Sequence, residues 1–123
     1  MKIAMKTILV LDDDRIILDL LQTVLTDAGY NAVVAPSAAA IPPDVSADLV
    51  ITDLVPLKAY HRDAALGWVA SLRKRFAGSP LLIVTAHRPA AEERDRLGAS
   101  GVLTKPFDID VLLAKVDELL ATS

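Results

Sequence analysis

Two short apolar runs in this chain stop abruptly on acid: Ile8-Leu9-Val10-Leu11 meets Asp12-Asp13-Asp14, and Leu49-Val50-Ile51-Thr52 meets Asp53. Neither run alternates with polar residues, so each reads as a strand buried on both faces, the signature of a parallel sheet covered by helices. In open sheets of this kind ligands bind at the carboxyl ends of the strands. A carboxylate placed there is a candidate for chemistry, although Asp53 taken alone reads equally well as a helix cap or loop residue.

The remaining segments fit the same architecture. Ile17, Leu21, Val24, Leu25 and Ala28 fall on one helical stripe, capped by Asp14 and closed by Gly29 as the residue past the helix end. A short strand follows over residues 31–35. Pro42 and Pro43 then allow little more than one helical turn before the Asp53 strand. Residues 54–62 have no clean period and read as a loop. Asp63 is placed to cap a helix carrying Ala64, Leu66, Trp68, Val69, Leu72 and Phe76. Its basic last turn, Arg73-Lys74-Arg75, suits the negative end of the helix dipole.

Leu81-Leu82-Ile83-Val84 forms another apolar strand, ending at Thr85. Pro89 opens a short charged helix over 90–97, with Gly98 beyond it. Gly101-Val102-Leu103-Thr104 is the last strand and leads into Lys105-Pro106. Asp108 caps a final helix with Ile109, Leu112, Leu113, Val116, Leu119 and Leu120 on one face. Five alternations of strand and helix imply an α/β fold, a parallel sheet with right-handed crossovers and helices on both faces.

Composition narrows the function. At 123 residues, 53% apolar and 24% charged, the chain fits one soluble domain over 1–123. A net charge of −3 argues against a nucleic-acid surface. The absence of cysteine excludes disulfides and thiolate metal sites. No run approaches the ~20 apolar residues of a membrane span, and the start lacks a secretory pattern, so no membrane insertion is expected and the reading is cytoplasmic.

A parallel sheet brings Asp12, Asp13, Asp53, Thr85 and Lys105 to one edge. Crowded carboxylates repel one another, so such a site calls for a cation. Oxygen-only ligands favour a hard ion such as Mg²⁺. With a lysine and a hydroxyl beside them, the implied chemistry is phosphoryl transfer to Asp53.

Ile8 through Asp14, Leu49 through Leu54, Ile83-Val84-Thr85-Ala86, and Gly98-Ala99-Ser100-Gly101 leading to Lys105-Pro106-Phe107 together resemble a response-regulator receiver domain of two-component signalling. The resemblance runs the length of the chain. It implies a flavodoxin-like, chemotaxis-regulator-like sheet of order 2-1-3-4-5. It implies that Asp53 accepts a phosphoryl group from a sensor histidine kinase or phosphotransfer protein and that the domain acts on a downstream protein target. Asp12 and Asp13 match the Mg²⁺-binding pair, with the backbone carbonyl of Val55 as a further ligand. Thr85 matches the switch hydroxyl, Lys105 the phosphoryl-pairing lysine, and Pro106 the usual cis-proline.

The chain also departs from that pattern. Pro56 stands three rather than four positions after the acceptor, and the loop behind Asp53 is longer by about half a dozen residues. Val102 occupies the switch position where the family commonly has Tyr or Phe, and the segment from Thr85 to Gly98 is short. These departures fit a second reading, a degenerate receiver that serves only as an interaction module. A third reading takes Asp12 as nucleophile and Asp14 as acid/base of a haloacid-dehalogenase-like phosphatase, but the chain has no room for the usual cap. His61 and His87 lack a paired metal-ligand spacing.

Overall fold

The computed structural model describes residues 5–53, 62–86 and 98–121. In chain order the elements are β1 (Thr7–Leu11), α1 (Arg15–Asp27), β2 (Asn31–Ala35), a 3₁₀ turn (Ala38–Ala40), β3 (Leu49–Thr52), α2 (Arg62–Arg75), β4 (Leu81–Thr85), β5 (Gly101–Thr104) and α3 (Ile109–Ala121). All strands are parallel, in the order β2-β1-β3-β4-β5. This is a flavodoxin-like sheet with helices on both faces. The helix expected over 90–97 lies outside the described residues.

Every residue of β3 and β4 is buried, as the unalternating runs require. The pleat sorts their side chains into two cores. Leu9, Leu11, Val50, Leu81 and Ile83 pack on the side of α2, with Ala65, Val69, Leu72 and Phe76. Ile8, Val10, Leu49, Ile51, Leu82 and Val84 pack on the other side, against Leu18, Leu21 and Leu25 of α1 and Leu112, Val116, Leu119 and Leu120 of α3. Each large side chain so buried is worth roughly 1.5–3 kcal/mol of transfer free energy. Pro42 and Pro43 stop any longer helix, and the crossover between β2 and β3 holds the short 3₁₀ turn.

Helix ends follow local chemistry. The Asp14 side chain accepts from the backbone N–H of Ile16 at 2.9 Å, an N-cap bond. Gly29, at φ 96°, takes the left-handed position past the C-cap of α1. Asp108 accepts from the Asp110 N–H at 2.8 Å at the start of α3.

Three details differ from the sequence reading. Asp63 does not cap α2, because the helix begins at Arg62 and the carboxylate sits in its first turn, where the helix dipole still favours it. The buried face of α2 runs through Ala65 while Ala64 is exposed, since one residue turns the helix by about 100°. In α1 the buried stripe is Leu18, Leu21 and Leu25; Ile17 and Val24 flank it half-buried, and Ala28 is exposed at the C-cap.

Candidate functional site

Asp12, Asp53 and Lys105 each stand one residue beyond the end of a strand, yet each stays bonded to the strand beside it. The N–H of Asp12 donates to Ala35 O at 3.3 Å, that of Asp53 to Leu11 O at 2.9 Å, and that of Lys105 to Thr85 O at 2.8 Å. The sheet ladder is thus prolonged by one rung at three places along the carboxyl edge. Main-chain bonds fix where these side chains start.

By strand alternation all three side chains leave the sheet on the side of α1 and α3. There they meet. One carboxylate oxygen from each of Asp12, Asp13 and Asp53 lies within 4.8 Å of the others. The Lys105 ammonium donates to Asp12 Oδ2 at 2.8 Å and to Asp53 Oδ2 at 3.1 Å. Asp12 is buried, Asp53 half-buried and Asp13 exposed, so the pocket opens towards solvent on the Asp13 side. The backbone N–H of Asp14 donates to Asp12 Oδ1 at 2.9 Å, which occupies the other oxygen of the buried carboxylate.

Burial pushes the Asp12 carboxyl above its ordinary 3.8, with the Lys105 ammonium and the Asp14 N–H pulling in the opposite direction. The same burial works against the charge on Lys105. Its bonds to Asp12 and Asp53 outweigh that penalty, and its pKa is raised above 10.5. Lys105 therefore carries a full charge at neutral pH. Three ionised carboxylates and one ammonium leave the pocket a formal charge of −2. Close carboxylate pairs repel by a few kcal/mol at an effective dielectric of about 20, so the balance is incomplete without further positive charge. The donor set is oxygen only, with one side open, which suits a hard divalent cation that keeps some of its water.

The other expected residues fall as follows. Thr85 ends β4 wholly buried, and the alternation that puts Leu81 and Ile83 on the α2 side carries it to that side also. The Lys105–Pro106 peptide is cis. Val102 is half-buried against the α2-side core. Val55, His61 and His87 lie outside the described residues.

One contact escaped the sequence reading. Trp68 Nε1 donates to Thr52 Oγ1 at 3.0 Å, and Thr52 Oγ1 donates to the Asp53 carbonyl at 2.5 Å. The available signal was a hydroxyl interrupting an otherwise apolar run immediately before the acid.

A parallel sheet of this order with an acidic pocket and a lysine at its carboxyl edge defines a receiver-type signalling fold. The chain matches the response regulator receiver domain family over residues 8–117, and it belongs to that family. It is 36% identical over 121 residues to the transcriptional regulatory protein GlrR of Escherichia coli, covering 94% of this chain and 26% of that protein. Among solved structures it is similar to a CheY-like receiver domain protein from Methanospirillum hungatei, with TM-score 0.79 and 23% identity over 97% of this chain and 96% of that one. It is also similar to NtrX from Brucella abortus, with TM-score 0.81 and 26% identity over 97% of this chain and 27% of that one. The chain spans roughly a quarter to a half of the length of the curated relatives it matches. Among the described residues no helix is long and apolar enough to cross a membrane.

Proposed function

We propose that this domain is a phosphoacceptor: Asp53 takes a phosphoryl group from the phosphohistidine of a sensor kinase or phosphotransfer protein in a Mg²⁺-dependent reaction, and the modified domain signals through protein contacts. The observation that carries this reading is the carboxylate triad within 4.8 Å, with the Lys105 ammonium joining Asp12 to Asp53. Asp12, Asp13 and Asp53 would hold the ion, and the backbone carbonyl of Val55 is the further ligand that the family pattern assigns. When bound, the ion supplies positive charge towards the phosphoryl oxygens.

The chain's own groups do the rest. An Asp53 carboxylate oxygen forms the bond to phosphorus as the donor's P–N bond breaks. The imidazole leaves with that electron pair and takes up a proton, and the product is an acyl phosphate. Lys105, held at hydrogen-bond distance from Asp53, is placed to pair with the charge that arrives on the phosphoryl oxygens. The family pattern assigns Thr85, at the neighbouring strand end, the hydroxyl that bonds the phosphoryl oxygen. Beside the site, Ile17 and Leu20 of α1 with Phe107 and Ile109 line a groove of about 510 Å³, and Ile16, also on α1, is 76% exposed. This apolar surface supports docking of the phosphodonor protein against α1.

The phosphatase reading needs the Asp14 carboxylate as acid/base. That carboxylate is engaged in capping α1, which favours the receiver reading. Incubation with phosphoramidate or acetyl phosphate and Mg²⁺ should add one phosphoryl mass to the intact protein, and Asp53→Asn should abolish the gain. Label that persists in Asp53→Asn but vanishes in Asp12→Asn would overturn the assignment in favour of the phosphatase.

A further inference from the structure

Three polar side chains are buried among the described residues: Asp12, Thr85 and Thr52. By the family pattern the first two belong to the proposed site. Thr52 does not, yet it is wholly buried at the last position of β3, directly before Asp53. A buried hydroxyl is costly unless it is fully bonded, and here both its functions are used. An indole nitrogen can only donate and a carbonyl can only accept. The direction of the chain is therefore fixed: Trp68 N–H to Thr52 oxygen at 3.0 Å, and Thr52 O–H to the Asp53 carbonyl at 2.5 Å.

The geometry separates this chain of bonds from the acidic pocket. Thr52 follows Val50 onto the α2 side of the sheet, whereas Asp53 follows Ile51 towards the side of α1 and α3. Asp53 is thus held from both faces. Its carboxylate meets Lys105, and its main-chain carbonyl is tied to α2. Trp68, the single tryptophan of the sequence, packs half-buried against the α2-side core, so its ring is anchored and its N–H is aimed.

We infer that Trp68 is a positioning residue that acts through the Thr52 hydroxyl on the Asp53 main chain, so that α2 is coupled to the charge state of the acceptor aspartate. This rests on the reading of Asp53 as the acceptor. A turn of the Asp53 peptide moves its carbonyl, and hydrogen bonds weaken steeply with misalignment. The Thr52 hydroxyl must then re-aim, and the indole bond changes with it.

The test uses the full chain in two arms. In metal-free buffer, the single indole N–H resonance, assigned by its loss in Trp68→Phe, is followed by proton–nitrogen NMR. Asp53→Asn should shift it beyond its linewidth; the shift should vanish in the Thr52→Val background and return in Thr52→Ser. In the second arm, phosphoryl uptake from phosphoramidate is measured by intact mass. Thr52→Val and Trp68→Phe should lower the maximal rate by roughly three- to tenfold, the size of one lost hydrogen bond, with the half-saturating donor concentration unchanged. Thr52→Ser should restore it. Trp68→Phe keeps a ring in place and removes the donor, so the rate comparison survives if Thr52→Val folds poorly. An indole that ignores Asp53→Asn, or responds equally in Thr52→Val, overturns the coupling even in a protein that phosphorylates normally. Failure of the wild type to gain a phosphoryl group, with the indole pattern intact, overturns the phosphoacceptor reading and leaves the coupling standing.

Discussion

Lys105 holds two carboxylates at once, and Asp13 adds a third beside them, so neighbouring substitutions should act in opposite directions. Lys105→Ala leaves the buried Asp12 without its countercharge and should destabilise the metal-free domain by roughly 2–4 kcal/mol in a urea titration at pH 7. Asp13→Ala relieves repulsion and should raise the melting temperature without Mg²⁺ while weakening Mg²⁺ binding. Unchanged Mg²⁺ affinity in Asp13→Ala would remove that residue from the ligand set. Tyr30 gives a pH signature away from the site. Burial, helped by its bond to Asp117, raises the phenol to about 12. A neutral phenol is thus preferred in the folded state, and its contribution is complete below pH 10 and is lost between pH 10 and about 12. Tyr30→Phe should be less stable than wild type by about 1 kcal/mol at pH 7, with the gap closing over that window. A constant gap from pH 7 to 12 would show that the bond to Asp117 is not its source.

β1, β3 and β4 were legible because burial on both faces leaves a pattern that survives without knowledge of partners: a short apolar run, then a carboxylate or hydroxyl. The existence of α1, α2 and α3 was equally plain. Helix phase was less so, since Ala64 and Ala65 are the same residue type one position apart, and only Val69, Leu72 and Phe76 together choose between them. The Trp68–Thr52 bond spans sixteen positions of sequence and joins a helix to a strand; periodicity reports which face a residue occupies, not what it touches. The same limit hid the distances among Asp12, Asp13 and Asp53, although their shared edge followed from parallel topology. For output, Val102 offers no ring to swing, whereas the segment behind Asp53 carries Lys58, His61 and Arg62. Beryllofluoride should therefore change amide shifts chiefly in residues 54–66. Largest changes between residues 86 and 110, with 54–66 unaffected, would show switching of the ordinary receiver kind.

Across the whole sheet, β1, β3 and β4 are each paired on both sides, while β2 and β5 form the edges. Native-state hydrogen exchange should be slowest in Ile8–Leu11, Leu49–Thr52 and Leu81–Thr85 and should open only with global unfolding. Faster exchange in β3 than in β5 would contradict this order. The pleat of β3 has a further consequence. Consecutive residues, Thr52 and Asp53, leave the strand towards opposite faces, so on the proposed reading what would receive charge and what would feel it are separate surfaces joined by one peptide unit. On that reading a lineage could rewrite the exposed positions of α2 to suit a new listener while Trp68 and Thr52 are kept and the acidic edge goes on accepting the same chemical message. It could equally retune the speed of that edge through Thr52 without altering those exposed positions.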